Sequence, residues 1–332
     1  MNPRPPRPAP GYQRGAVTLT IAVLLLFIVS LLTLFSARLG TQALREAGAS
    51  LQRARAMAAA RSGIHAALSA LRPAMLHGGE TDGPAGILPD GSRYRSRIRK
   101  TAIRRLRITV MGRSGTGKAW VHQEAAFLPY AAVIPPAAVM ARGAADLGQG
   151  WVIPFPAGLR AWTGGTLVRR GRVSTGVTCR RRGLCARDAR LAALDAQAWR
   201  RRFLTLPLDL LDEAARAPGP ADEGLYYAGG DAENPAMLEG MRLGSESSPA
   251  LVVVEGDLAG LRHSRIHGLL YVSGDCLARA EDLVLEGALV VAGRLGLEGM
   301  YRIRHRPDIL RTLQDRLGRF ALLPGTWRDG EQ

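Results

Sequence analysis

Residues 16–35, AVTLTIAVLLLFIVSLLTLF, run for twenty positions without a charge. At the helical rise this is about 30 Å, the thickness of a bilayer's hydrocarbon core. A helix in a soluble core shows water at least one polar face, and an uninterrupted apolar stretch that shows none belongs in lipid. A secretory signal peptide is the nearer rival. The run exceeds a signal's apolar core, however, and no small-x-small site with a polar start follows it. The sequence therefore predicts a retained single-pass membrane segment at 16–35.

The flanks refine this reading. Residues 1–15, MNPRPPRPAPGYQRG, are proline-rich and basic through Arg4, Arg7 and Arg14, and Gly15 stands immediately before the apolar run. Proline's fixed φ and missing donor keep such a leader out of helix. Charge alone does not orient the segment, since Arg38, Arg45, Arg53 and Arg55 follow it with only Glu46 against them. Beyond it, Leu44, Ala47, Leu51, Ala54 and Ala58 share one helical face, and Ile64, Leu68 and Leu71 extend the spacing, which predicts an amphipathic extension over 36–72. Pro73, Gly78 and Gly79 stop it. A helix of this combined length is about 80 Å long, so its second half needs a globular head to pack against.

These residues resemble a type IV prepilin: a short basic leader ending in Gly15, a junction QRGA, and an apolar helix that continues as a long amphipathic one through ARAMAAARSGIHAAL. Among prepilins the chain is similar to the minor pilins of the PilX type, in its amino-terminal region and in its LPGTWRD ending. The resemblance implies cleavage by prepilin peptidase between Gly15 and Ala16, with methylation among the family's processing steps. It also implies an inner-membrane anchor, a periplasmic head, and other minor and major pilins as partners beside membrane lipid. Most pilins carry Glu at the fifth mature position, where this chain has Thr20, and an acidic residue in the stretch where it has Ala60, Arg61, Ser62 and Gly63. The missing Glu implies a minor, tip-proximal or initiating subunit. The alternatives are a minor pseudopilin of type II secretion, of the large K type, and a pilus-associated adhesin or DNA-binding module.

The head reads as β-rich, giving an α+β protein overall. Residues 90–128 alternate as a hairpin region: Ile103, Leu106, Ile108 and Val110, a glycine-rich turn, then Trp120, Val121 and Ala125. The turn sequence GRSGTGKA nearly spells a phosphate-binding loop. Ala119, however, has no hydroxyl for magnesium, and a strand follows where a helix is required. Residues 129–250 read as irregular and loop-rich, with one short helix over 186–202. Cys179 and Cys185, which enclose five residues, are candidates for a local disulfide if the head is periplasmic.

The clearest internal signal is a repeat over 251–300. LVVVEGDL at 251, LLYVSGDC at 269 and ALVVAGRL at 288 align Gly256, Gly274 and Gly293, which predicts a short β-solenoid rather than an antiparallel meander. Cys276 shares a column with Leu258 and Leu295, the place of a small buried hydrophobe. In 301–332, Ile309, Leu310, Leu313 and Leu317 make one side of a short helix, expected to cap the solenoid's open end.

No cofactor fingerprint or nucleophile motif occurs, so an enzyme is not expected. His263 and His267 flank a strand, where a four-residue spacing makes no metal clamp. Glu255, Asp257 and Asp275 could serve calcium at the corners, but Arg294 breaks their column. Forty-five basic against 28 acidic residues leave a formal charge of +17. Arg93, Arg95, Arg97 and Arg99 alternate on one strand face and form the candidate polyanion site. Few aromatics are interleaved there to stack bases, so a solvated or intersubunit face is the stronger reading and nucleic acid the weaker.

Overall fold

The computed structural model describes residues 13–155, 159–169, 172–174, 188–216 and 224–330. Most of the leader, and both Cys179 and Cys185, lie outside the described residues. The fold is α+β, a long apolar amino-terminal helix followed by antiparallel and parallel sheets.

Helix α1, Gln13–Ala70, spans 58 residues without a proline, about 87 Å at the standard rise. Pro73 ends it by pushing Arg72 into extended conformation, φ −125° and ψ 143°. From Thr18 to Leu51 every residue of α1 is exposed. Beyond that the helix is buried along one row: Ala56, Ala59, Ala60, Ile64 and Ala67, with Leu71 just past its end. The last part of the expected stripe is kept, with Ile64 and Leu71 buried and Leu68 half-buried, but its first part is not. Leu44 and Leu51 are 75% and 52% exposed, and Ala54 and Ala58 face solvent with them. The covered row is made mostly of small residues, because at Gly112 the sheet comes to backbone contact with Ala56 and Ala60.

That sheet is an antiparallel meander of β1 Glu80–Ile87, β2 Arg93–Ala102, β3 Arg105–Ser114 and β4 Gly117–Pro129. Strand β3 shows the period of two: Leu106, Ile108 and Val110 turn inward onto Ile64 and Ala67 of the helix, and Arg105 and Arg107 turn out. The expected hairpin is thus two strand pairs larger in scope. Strand β1 was illegible because ETDGPAGI contains Gly83 and Pro84 and is bulged between Asp82 and Ala85. Ile103, expected inside a strand, sits at the β2–β3 tip and is 88% exposed.

Residues 225–305 wind as four parallel coils, each with three walls. The first wall holds Leu225–Gly229, Ala250–Glu255 and then residues 268–272 and 287–291; every neighbouring pair is parallel. The second holds Ala236–Met237, Leu258–Gly260, Cys276–Arg279 and Leu295–Glu298. The third holds Arg242–Leu243, residues 265–267 and 284–286, and Arg302–His305. Strands Arg265–Val272 and Val284–Val291 serve two walls each, with the change of partner at Gly268 and Gly287, whose φ values are +142° and +147°. Only glycine visits that region readily.

The coils are not confined to 251–300, and the region 129–250 is not irregular throughout. Strands Ala137–Ala141, Ala145–Asp146 and Trp151–Ile153 form a fifth coil stacked on the fourth, through Leu289↔Val139, Leu295↔Ala145 and Arg302↔Trp151. Leu159–Thr163 and Leu167–Arg169 continue it as a sixth. Stacking order therefore departs from chain order: the chain lays down one end first, then starts again at the other end and winds back to meet it. A glycine ladder runs through all six coils, Gly230, Gly256, Gly274, Gly293, Gly143 and Gly165, and in each a Cβ would collide with backbone of the neighbouring coil.

The first wall is buried on both sides, which explains its uninterrupted apolar runs. Val252, Val254, Leu270 and Val272 point into the coil, while Leu251, Val253, Leu269 and Tyr271 pack under helices. The single helix expected over 186–202 is two, Ala189–Ala192 and Ala196–Phe203. The second begins where the Asp195 carboxylate accepts from the Ala198 amide at 2.6 Å. Helix Pro307–Arg316 does not cap an end of the coil. Its Leu310 and Leu313 join the same outer layer as Leu269 and Val290, because an apolar stripe needs an apolar surface and a coil end offers backbone edges. The chain then returns to the meander, where Gly318–Leu322 pairs antiparallel with β4.

Candidate functional site

Gly15 and Ala16, the expected processing junction, lie in the first turn of α1. From Thr18 to Leu51 the apolar side chains stand clear of the head on every side of the helix, with Leu26 71% exposed. Among the described residues this is one helix long and apolar enough to cross a membrane. Thr20 is exposed within it.

The lower half of α1 is held by glycines at the strands. A Cβ on Gly112 would overlap the Ala56 carbonyl oxygen and stand 2.7 Å from the Ala60 amide nitrogen, and one on Gly117 would stand 2.7 Å from the Gln52 carbonyl carbon. Gly63 of the helix is the reciprocal case, 2.6 Å from Val110 Cγ1. The glycines of the phosphate-loop look-alike are therefore contact glycines that admit a helix backbone, with Gly115 at φ +55° making the turn. Gln52 Oε1 accepts from the Thr116 amide at 3.2 Å and from its hydroxyl at 2.7 Å, which pins the turn to the helix.

Arg93, Arg95, Arg97 and Arg99 do share the exposed face of β2. The strands beside it partly neutralise them. Arg95 pairs with Asp82 at 3.3 Å and Arg97 with Glu80 at 3.0 Å, both from β1. Arg107 of β3, opposite Arg99, pairs with Glu124 at 3.1 Å. A shallow cleft of about 310 Å³ lies over these ion pairs, floored by Thr109, Met111 and Trp120. The carboxylates of β1, the strand illegible in sequence, were the signal missed.

Cys276 lies where the repeat put it, in register between Leu258 and Leu295 and fully buried. Burial, with a smaller contribution from Asp275, pushes its thiol up to about 12. His263 pairs with Asp282 at 3.2 Å on the surface, and among the described residues no group of three His, Cys, Asp or Glu could hold a metal ion. The corner carboxylates are occupied with backbone. Asp257 Oδ1 accepts from the Asp275 amide at 2.7 Å, and Asp275 Oδ1 accepts from the Arg294 amide at 2.7 Å. Arg294 then closes the column by pairing with Asp275 Oδ2, so this ladder stitches coil to coil and leaves calcium no shared carboxylates.

Sequence reading missed Arg306, whose guanidinium meets Glu246 at 3.0 Å, Glu286 at 3.6 Å and Asp308 at 2.7 Å. Its hydrogen bonds hold the Asp308 carboxyl down to about 2. Two of its partners are distant in sequence, and no local pattern announces the cluster.

No protein-family model and no curated protein matches the chain. Among solved structures it aligns with the competence-associated pilin ComZ from Thermus thermophilus, over 84% of this chain and 98% of that one, at 11% identity and a TM-score of 0.26. Similarity at that level transfers no residue role from one chain to the other.

Proposed function

We propose that the chain is a minor pilin-like subunit of a type IV pilus, of the PilX type, cut by prepilin peptidase after Gly15 and anchored in the inner membrane by residues 16–35. The head, a meander joined to a β-solenoid, stands on the periplasmic side. The observation that supports this reading is the division of α1: one continuous helix that is exposed at every residue from Thr18 to Leu51 and beyond that is the spine of a head. Such a helix serves first as a membrane anchor and then, drawn out of the bilayer, as a packing rod among like helices. Thr20 offers no charge for a neighbour's amino terminus, which suits a subunit that begins a filament more than one that repeats along it.

The test is the amino terminus of the mature protein, by sequencing or intact mass, from cells with and without the peptidase. The expected chain begins at Ala16 only when the peptidase is present, and Gly15→Val blocks the cut, since a side chain there obstructs close approach of the backbone. A mature chain beginning after Phe35, or processing indifferent to the peptidase, overturns the proposal.

A further inference from the structure

The third wall of the coil places arginines where their sequence positions do not suggest a cluster. Along each strand the inward residue is apolar, Leu243, Ile266, Leu285, Ile303 and then Val152 of the fifth coil, all in one core. The residues before them point outward and stack in strict register: Arg242↔Arg265, Arg265↔Val284, Val284↔Arg302 and Arg302↔Trp151. Coils stack about 4.8 Å apart, so this column is about 19 Å long. Arg304 extends it sideways, beside Ile153. Arg242, Arg265, Arg302 and Arg304 are all exposed, and Trp151 is 54% exposed.

The electrostatics separate this face from the arginines of β2. There the neighbouring strand brings Asp82 and Glu80 into contact with the guanidinium groups. Here Arg242 and Arg265 are direct neighbours of like charge, a destabilising pairing unless something negative lies over it. Among the described residues none of the four arginines forms an ion pair; the carboxylate on the wall, Glu286, stands in register beside Arg304 but lies 3.6 Å from Arg306, and no carboxylate stands in the column of Arg242, Arg265 and Arg302. The wall itself is rigid, because its inner side chains are fixed in the core. Guanidinium groups held in line on a stiff surface, with an indole at one end of the line, match a chain of phosphates carrying flat bases.

We infer that the third wall of the coil is a binding track for single-stranded nucleic acid, with Arg242 and Arg265 side by side on phosphate, Arg302 two coils further along on another phosphate, and Trp151 stacking a base. The track is set by the coil alone and stands whether or not the chain enters a pilus.

The experiment uses the full chain in nanodiscs of uncharged lipid and a fluorescein-labelled twelve-residue oligothymidylate, with anisotropy followed over a range of salt. Each exposed variant is first checked for unchanged circular dichroism and melting. The triple variant Arg242→Glu, Arg265→Glu, Arg302→Glu is expected to lose more than about 100-fold in affinity at low salt. Its log affinity against log salt should become shallower by about 2, at about 0.7 per lost phosphate contact on a single strand. Trp151→Ala should lose about tenfold, the worth of one stacked base. Arg93→Glu with Arg99→Glu should change affinity less than about threefold and leave the slope nearly as it was. Unchanged binding by the triple variant, or an equal loss in the β2 pair, overturns the inference. So does binding of a uronate polymer as tight as that of the oligonucleotide, which would give the track to a polysaccharide.

Discussion

The two halves of α1 are one helix by backbone and two different objects by surface. Between Thr18 and Phe35 the side chains are large, among them Leu24, Leu26 and Phe27, and none is covered by the rest of the chain. Between Ala56 and Ala67 the row that meets the sheet is Ala, Ala, Ala, Gly, Ile, Ala, and it is buried. Size rather than hydropathy distinguishes them. A large apolar side chain can be buried in lipid, which flows around it, whereas a preformed sheet near backbone contact is met mostly by small residues, as helix pairs at close approach are, with Ile64 the exception in this row.

The sharpest way to break this comparison is to give the lower half one side chain it has no room for. Gly112→Val places its Cβ on the Ala56 carbonyl oxygen, a backbone atom of the helix, so nothing flexible can yield. Its expected cost is at least about 3 kcal/mol in denaturant unfolding of the head. Gly48 is the contrast: nothing lies within 4 Å of it, and Gly48→Ala is expected to leave head stability unchanged and raise helix content, by about 0.5–1 kcal/mol of local propensity. A smaller effect than that of Gly112→Val comes from removing contacts instead of adding them. Ile64→Ala, in the buried row, should cost about 2–4 kcal/mol, while Leu44→Ala, on the uncovered stripe, should stay within about 0.5 kcal/mol in the isolated chain. Equal losses for Ile64 and Leu44 would mean that the head reaches further up the helix than the structure shows.

How much of this was readable in the sequence varies with the range of the interaction that produces it. The apolar segment was legible because its length and lack of charge are local properties. Three of the six coils share a spacing of eighteen or nineteen residues between the glycines at 256, 274 and 293, and those three were legible for that reason. Gly143 and Gly165 belong to the same ladder but stand 22 residues apart and more than sixty residues before the rest, and their coils are stacked out of chain order. Periodicity read along the chain cannot see a stack assembled from both ends. The stripe on α1 was rightly read at Ile64 and Leu71 and misread before them, for a similar reason. Leu44 and Leu51 advertise a face by size, and only the sheet, arriving from β2 to β4, decides that the alanine face is the one covered. Of the candidate sites, Arg93 to Arg99 were correctly placed on one face, but their neutralising carboxylates came from a strand with Pro84 in it. The arginines of the third wall were invisible because residues 242, 265 and 302 become neighbours only when the coils close.

The most direct test of the division in α1 is site-by-site accessibility in the folded, membrane-inserted chain. Leu26→Cys, Ser50→Cys and Ala60→Cys variants of the full protein, reconstituted in lipid vesicles, are treated with a membrane-impermeant maleimide and read by peptide mass mapping, which separates the new sites from the native cysteines. The account predicts rapid modification at position 50, none at 26 until the bilayer is dissolved, and none at 60 until the head is unfolded. Modification at 26 in intact vesicles, or protection at 50 in the isolated subunit, would contradict it.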